Sequence, residues 1–117
     1  MDEQRFQELV GEALDSLPKE FAEKLDNVSV TVADFPTIYQ MRKANLGPNM
    51  LLFGLYEGVP QTKRGVYYSH IPDKITIFRY AILQVSQTEE DVKRQVRQTV
   101  IHEIGHHFGL SEADLRK

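Results

Sequence analysis

After Met1, the first apolar residues of the chain are Phe6, Leu9, Val10, Ala13, Leu14 and Leu17. They follow the i, i+3, i+4, i+7 spacing of one face of a 3.6-residue helix. Pro18 suits the first turn of a short second helix that buries Phe21, Ala22 and Leu25. The period then switches to two. Val28, Val30 and Val32 alternate with Ser29, Thr31 and Ala33, the pattern of a half-buried strand.

Asp34-Phe35-Pro36 opens an irregular or briefly helical stretch that ends by Gly47-Pro48. Leu51 to Glu57 is a second strand, closed by Gly58-Val59-Pro60, and Gly65 to Ser69 a weaker one. Pro72-Asp73-Lys74 leads into Ile75 to Arg79, where Ile75, Ile77 and Arg79 share a face; Tyr80 to Val85 fits helix or strand. The last element is the clearest. Thr88-Glu89-Glu90-Asp91 has the form of an N-cap with first-turn acids. Val92, Val96, Val100 and Ile104 follow at four-residue steps, with Ile101 and Phe108 widening the face and Gly109 at the C′ position. The expectation is a single α+β domain over residues 1–117, a small mixed β-sheet packed against an N-terminal helix and a long C-terminal helix.

Composition narrows the chemistry. The chain has 117 residues, 17 acidic and 14 basic side chains, a net charge of −3 and no cysteine. The basic residues are scattered in pairs (Arg42–Lys43, Lys63–Arg64, Lys93–Arg94), which argues against nucleic acid as a partner. The longest apolar stretch, Met50 to Tyr56, is far too short for a membrane span, and the acidic N-terminus is unlike a signal peptide. A soluble, cytoplasmic monomer is expected. Without cysteine, any metal must be held by His, Asp or Glu.

The last helix contains His102-Glu103-Ile104-Gly105-His106, the H-E-x-x-H pattern. Residues four apart lie on one helical face, so two imidazoles can grip one ion. Glu103, rotated one residue around, is placed to act as general base on metal-activated water. His107 lies about 100° from His106 and reads as a flank residue packing on the sheet. Gly105, inside a helix, suggests close approach by another backbone or by substrate.

Two histidines leave a zinc site one protein ligand short. Only residues 107 to 117 follow His106, so the third ligand is expected close by or upstream. The run from His102 to Glu112 resembles the metzincin pattern H-E-x-x-H-x-x-G-x-x-H/D. There Gly109 turns the chain beneath the ion, and the residue three further on, Glu112, returns to it. Ser111-Glu112-Ala113-Asp114 also has the form of a cap with acidic first-turn residues, so Glu112 reads either as ligand or as cap acid. Asp114 is the nearest rival oxygen and His70 a distant nitrogen rival.

Beyond the motif, the chain resembles the minimal zincin-like metallopeptidase family of small bacterial proteins. The resemblance rests on Gly54-Leu55-Tyr56-Glu57-Gly58-Val59-Pro60, Pro72-Asp73-Lys74-Ile75-Thr76-Ile77, and Val100 to Gly109. It implies a zincin core, one zinc held by His102, His106 and Glu112, and Glu103 as general base. Unlike true metzincins, the chain has no methionine after Met50 and so no Met-turn below the site. Zincins commonly bind an extended peptide along a sheet edge. Leu51, Leu52, Phe53, Gly54, Leu55 and Tyr56 form the candidate edge. Tyr67, Tyr68, His70 and Arg79 are candidate oxyanion donors, each also readable as structural. The leading function is zinc-dependent hydrolysis of a peptide or protein. The alternatives are a non-catalytic zinc-binding interaction module, and a structural domain whose motif helix is only core.

Overall fold

The computed structural model describes residues 1–47, 50–58 and 71–109. The order is α1 (Glu3–Asp15), α2 (Lys19–Lys24), β1 (Val28–Ala33), α3 (Ile38–Lys43), β2 (Gly54–Glu57), β3 (Asp73–Phe78), α4 (Arg79–Gln84) and α5 (Glu89–Phe108). The three strands form one mixed sheet in the order β1-β3-β2, with β1 parallel and β2 antiparallel to β3. This is the expected α+β arrangement. The expected strand at Gly65 to Ser69 lies outside the described residues.

The central strand β3 is buried on both faces, as a near-continuous apolar run should be. Register puts Val30, Val32, Ile75 and Ile77 on one face with Gly54 and Tyr56. That face meets α1, α2 and α5 in a core of Phe6, Leu9, Val10, Phe21, Val96, Val100 and Ile104. The other face carries a smaller cluster of Leu55, Phe78 and Ala81, with Leu52, Phe53 and Ala44 against it.

Local chemistry fixes the ends of α5. Thr88 and Asp91 form a reciprocal capping box, and Gly109 closes the helix at φ 70°, where a side chain would be strained. Arg5 of α1 holds Glu89 through two hydrogen bonds of 2.8 and 2.7 Å, tying the start of α1 to the start of α5.

Four expectations are corrected. The second strand begins at Gly54, not Leu51. Its partner is the reason: β3 ends at Phe78, whose N–H reaches the Phe53 carbonyl at 2.9 Å, and the next residue is already helical, so Leu52 has no strand to pair with. Arg79 therefore does not share the strand face of Ile75 and Ile77; it opens α4 and pairs with Asp34 at 2.9 Å. Phe108 is 46% exposed, because its ring lies beside the Lys24 ammonium at the end of α2 rather than among core residues. Ala22 is likewise exposed, leaving Phe21 as the buried anchor of α2.

Gly54 sets how closely α5 approaches the sheet. A Cβ there would stand 2.6 Å from Thr99 Cγ2 and 3.1 Å from the Thr76 carbonyl oxygen. Gly54→Ala should therefore cost about 1–3 kcal/mol of stability, read by chemical denaturation. Thr99→Ser removes the offending methyl and should recover part of that loss; no recovery would place the strain elsewhere. Asp91 is held below the ordinary carboxylate range by the N–H groups of Gln87 and Thr88 and by Arg94. That stabilisation is complete above the unfolded Asp value (~3.9) and is lost as pH falls through the lower native value. Asp91→Asn should thus destabilise at pH 7, with the gap to wild type narrowing as acid protonates the native carboxylate.

Candidate active site on the last helix

Helical geometry sorts the C-terminal half of α5 into three strips. Ile101, Ile104 and Gly105 are buried. His102 and His106 lie on the exposed side, one turn apart, with ring centroids 6.1 Å apart and nearly perpendicular planes. Glu103 falls between, partly buried. At about 100° per residue, Thr99, Glu103 and His107 form one i, i+4, i+8 row.

That row lies along β2. Thr99 meets Gly54, and Glu103 Oε1 accepts the main-chain N–H of Tyr56 at 2.8 Å. His107 stacks on the Tyr56 ring, with centroids 4.0 Å apart and an interplanar angle of 17°. The fit follows from pitch: four helical residues rise about 6 Å and two strand residues about 6.8 Å. Alternate positions of the strand, Gly54 and Tyr56, therefore meet successive turns of the helix.

His102 is oriented from behind. Its Nδ1 lies 2.9 Å from the Gln98 carbonyl oxygen one turn earlier. A carbonyl only accepts, so Nδ1 carries a proton, and in the neutral ring Nε2 is then the nitrogen with the lone pair that a metal ligand needs. Burial pushes the Glu103 carboxyl above its ordinary range, opposed by the Tyr56 N–H and by His106 and His102.

A cleft of about 330 Å³ opens beside these groups. Leu46, Leu51, Leu52, Phe53 and Gly54 line one side, and Gln95, Gln98, Thr99, His102 and Glu103 the other. Of the expected substrate residues, Leu51 to Gly54 thus line the cleft, Leu55 is buried in the smaller cluster, and Tyr56 faces α5. The glutamines and Thr99 were not anticipated; Gln98 and Thr99 stand four residues before His102 and Glu103, a spacing that would have identified them. Arg79 is engaged by Asp34 and by the Met1 carbonyl and does not line the cleft. Glu112, Asp114, His70, Tyr67 and Tyr68 lie outside the described residues. Among the described residues, no group of three or more His, Asp or Glu could hold a metal ion. Likewise, no described helix is long and apolar enough to cross a membrane.

The profile of the zincin-like metallopeptidase family matches residues 25–117, which include the sheet, the cleft and all of α5. The chain belongs to this family. A conserved hypothetical protein from Thermus thermophilus has a similar fold, with a TM-score of 0.62 and 22% sequence identity. The match covers 92% of this chain and 94% of that one. No curated protein matches. Family membership accounts for the scaffold of sheet plus motif helix; what the site does is a separate inference.

The His102 geometry makes a direct prediction. Long-range 1H–15N spectra of the metal-free protein at alkaline pH should show neutral His102 with its proton on Nδ1. A dominant Nε2–H tautomer would overturn the orientation described above.

Proposed function

We propose that the protein is a zinc-dependent peptidase. The observation that carries this reading is the placement of His102 and His106 on successive exposed turns, with the Glu103 carboxylate beside them at the rim of a cleft. The donor set suits the metal: neutral imidazole is a natural zinc ligand, and His102 already has its Nδ1 committed to a carbonyl. His102 and His106 would hold the ion, with Glu112 as third ligand and Asp114 as its alternative. When bound, zinc would supply a Lewis acid that polarises water and the scissile carbonyl.

The remaining chemistry falls to the chain. Burial makes Glu103 a stronger base than an exposed glutamate, which suits it to take a proton from water as that water adds to the carbonyl carbon. The same carboxyl then returns the proton to the leaving nitrogen. Of the candidate edge Leu51 to Tyr56, an extended peptide would lie against Leu51, Leu52, Phe53 and Gly54, which line the cleft, with a side chain inserted into it. The cleft's lining supports an uncharged side chain there, since among its described residues only the site's own His102 and Glu103 carry titratable groups.

Two measurements test the proposal. Protein purified without chelator should carry about one zinc per chain, and His102→Ala and His106→Ala should be empty. On a broad peptide library, Glu103→Gln should retain the metal and lose at least roughly a hundredfold in turnover. A metal-free wild type would overturn the zinc site. Zinc with equal turnover in both proteins, or with none in either, would favour a binding module built on the same scaffold.

A further inference from the structure

We infer that Tyr56 is a positioning residue for Glu103, and that Asp73 and His107 hold Tyr56 to that task. This rests on the reading of Glu103 as general base and adds what aims it. The Phe78 N–H bonds to the Phe53 carbonyl, so alternation along the antiparallel pair turns the Leu55 N–H toward β3 and the Tyr56 N–H away from it. The Tyr56 N–H is the one that meets Glu103, at 2.8 Å. A main-chain donor cannot swing as a side chain does, so the carboxylate it holds is only as well placed as the strand.

Among the described residues, three contacts bear on that strand position. The Tyr56 hydroxyl donates to Asp73 Oδ2 at 2.6 Å, a diagonal reach across the sheet to the start of β3. The Tyr56 ring lies flat on His107, whose Nε2 is 3.9 Å from the same Asp73 oxygen. Glu103 and His107 are one turn apart on α5, so a single strand residue grips the helix at two points about 6 Å apart. Two points remove both sliding and rotation, where the carboxylate contact alone would leave a pivot. A base displaced by about 1 Å loses of order a hundredfold in rate, so such a brace has a kinetic consequence.

The test uses the full chain, 15N-labelled, with amide exchange and kinetics in parallel. Glu103→Ala should speed exchange of the Tyr56 amide at least roughly tenfold while leaving the inward-facing Leu55 amide unchanged. Tyr56→Phe keeps the ring and the N–H but loses the Asp73 bond; His107→Ala loses the stack. Each should speed Tyr56 exchange by a smaller factor, keep one zinc per chain, and lower kcat about tenfold with KM within about threefold. His107→Phe restores a stacking ring and should recover most of the loss. In a Glu103→Gln background, neither Tyr56→Phe nor His107→Ala should cost anything further, because both act through the carboxylate. Unchanged Tyr56 exchange in Glu103→Ala, or additive losses in the Glu103→Gln background, would overturn the assignment. A wild type with no turnover would overturn the peptidase reading alone, and the exchange rates would still decide the positioning role. If His107→Ala fails to fold, Tyr56→Phe carries the test.

Discussion

The contact that the rest of the structure serves is the row of Thr99, Glu103 and His107 laid along Gly54, Tyr56 and Gly58. Helix and strand have different pitches, and they stay in step over only two or three repeats. That short stretch is where the H-E-x-x-H pattern sits. Gly54 permits the close approach, Glu103 satisfies an outward N–H of the strand, and His107 covers the ring of the residue that supplies it. The histidine pair is then left on the exposed side, because the helix cannot present its strand-facing row and its histidine row in one direction.

The core exists to hold that geometry still. Ile75 and Ile77 of β3 share one buried cluster with Val96, Val100 and Ile104 of α5, and α1 adds Phe6, Leu9 and Val10 to it. Buried side chains in close-packed contact transmit displacement rather than absorb it. The apolar residues therefore seat α5 on the sheet, and the contacts at Tyr56 add the polar grip at the motif end.

Much of this was legible from the sequence because the signals were local and periodic. The α1 stripe, the alternating valines of β1, the Thr88 cap and the Gly109 terminus each depend on residues within a turn or two of one another. The motif on α5 was readable for the same reason. What could not be read depends on partners distant in the chain. The shortening of β2 is decided by where β3 stops, and the strand face of Arg79 disappears because α4 begins there and Asp34 waits 45 residues away. The Tyr56–Glu103 bond spans 47 residues and uses a main-chain donor, which no side-chain pattern announces.

The two ends of α5 do different work. Its first turn is secured by the Thr88 box and the Arg5–Glu89 clamp, and its last two turns bear the histidines. From Glu89 to His102 the axis rises about 20 Å, well beyond the range over which substitutions usually interfere. Changes that strengthen or weaken the anchored end can therefore accumulate without redrawing the end that carries the motif. One helix thus offers two independently adjustable parts, one open to changes in stability and the other holding the motif.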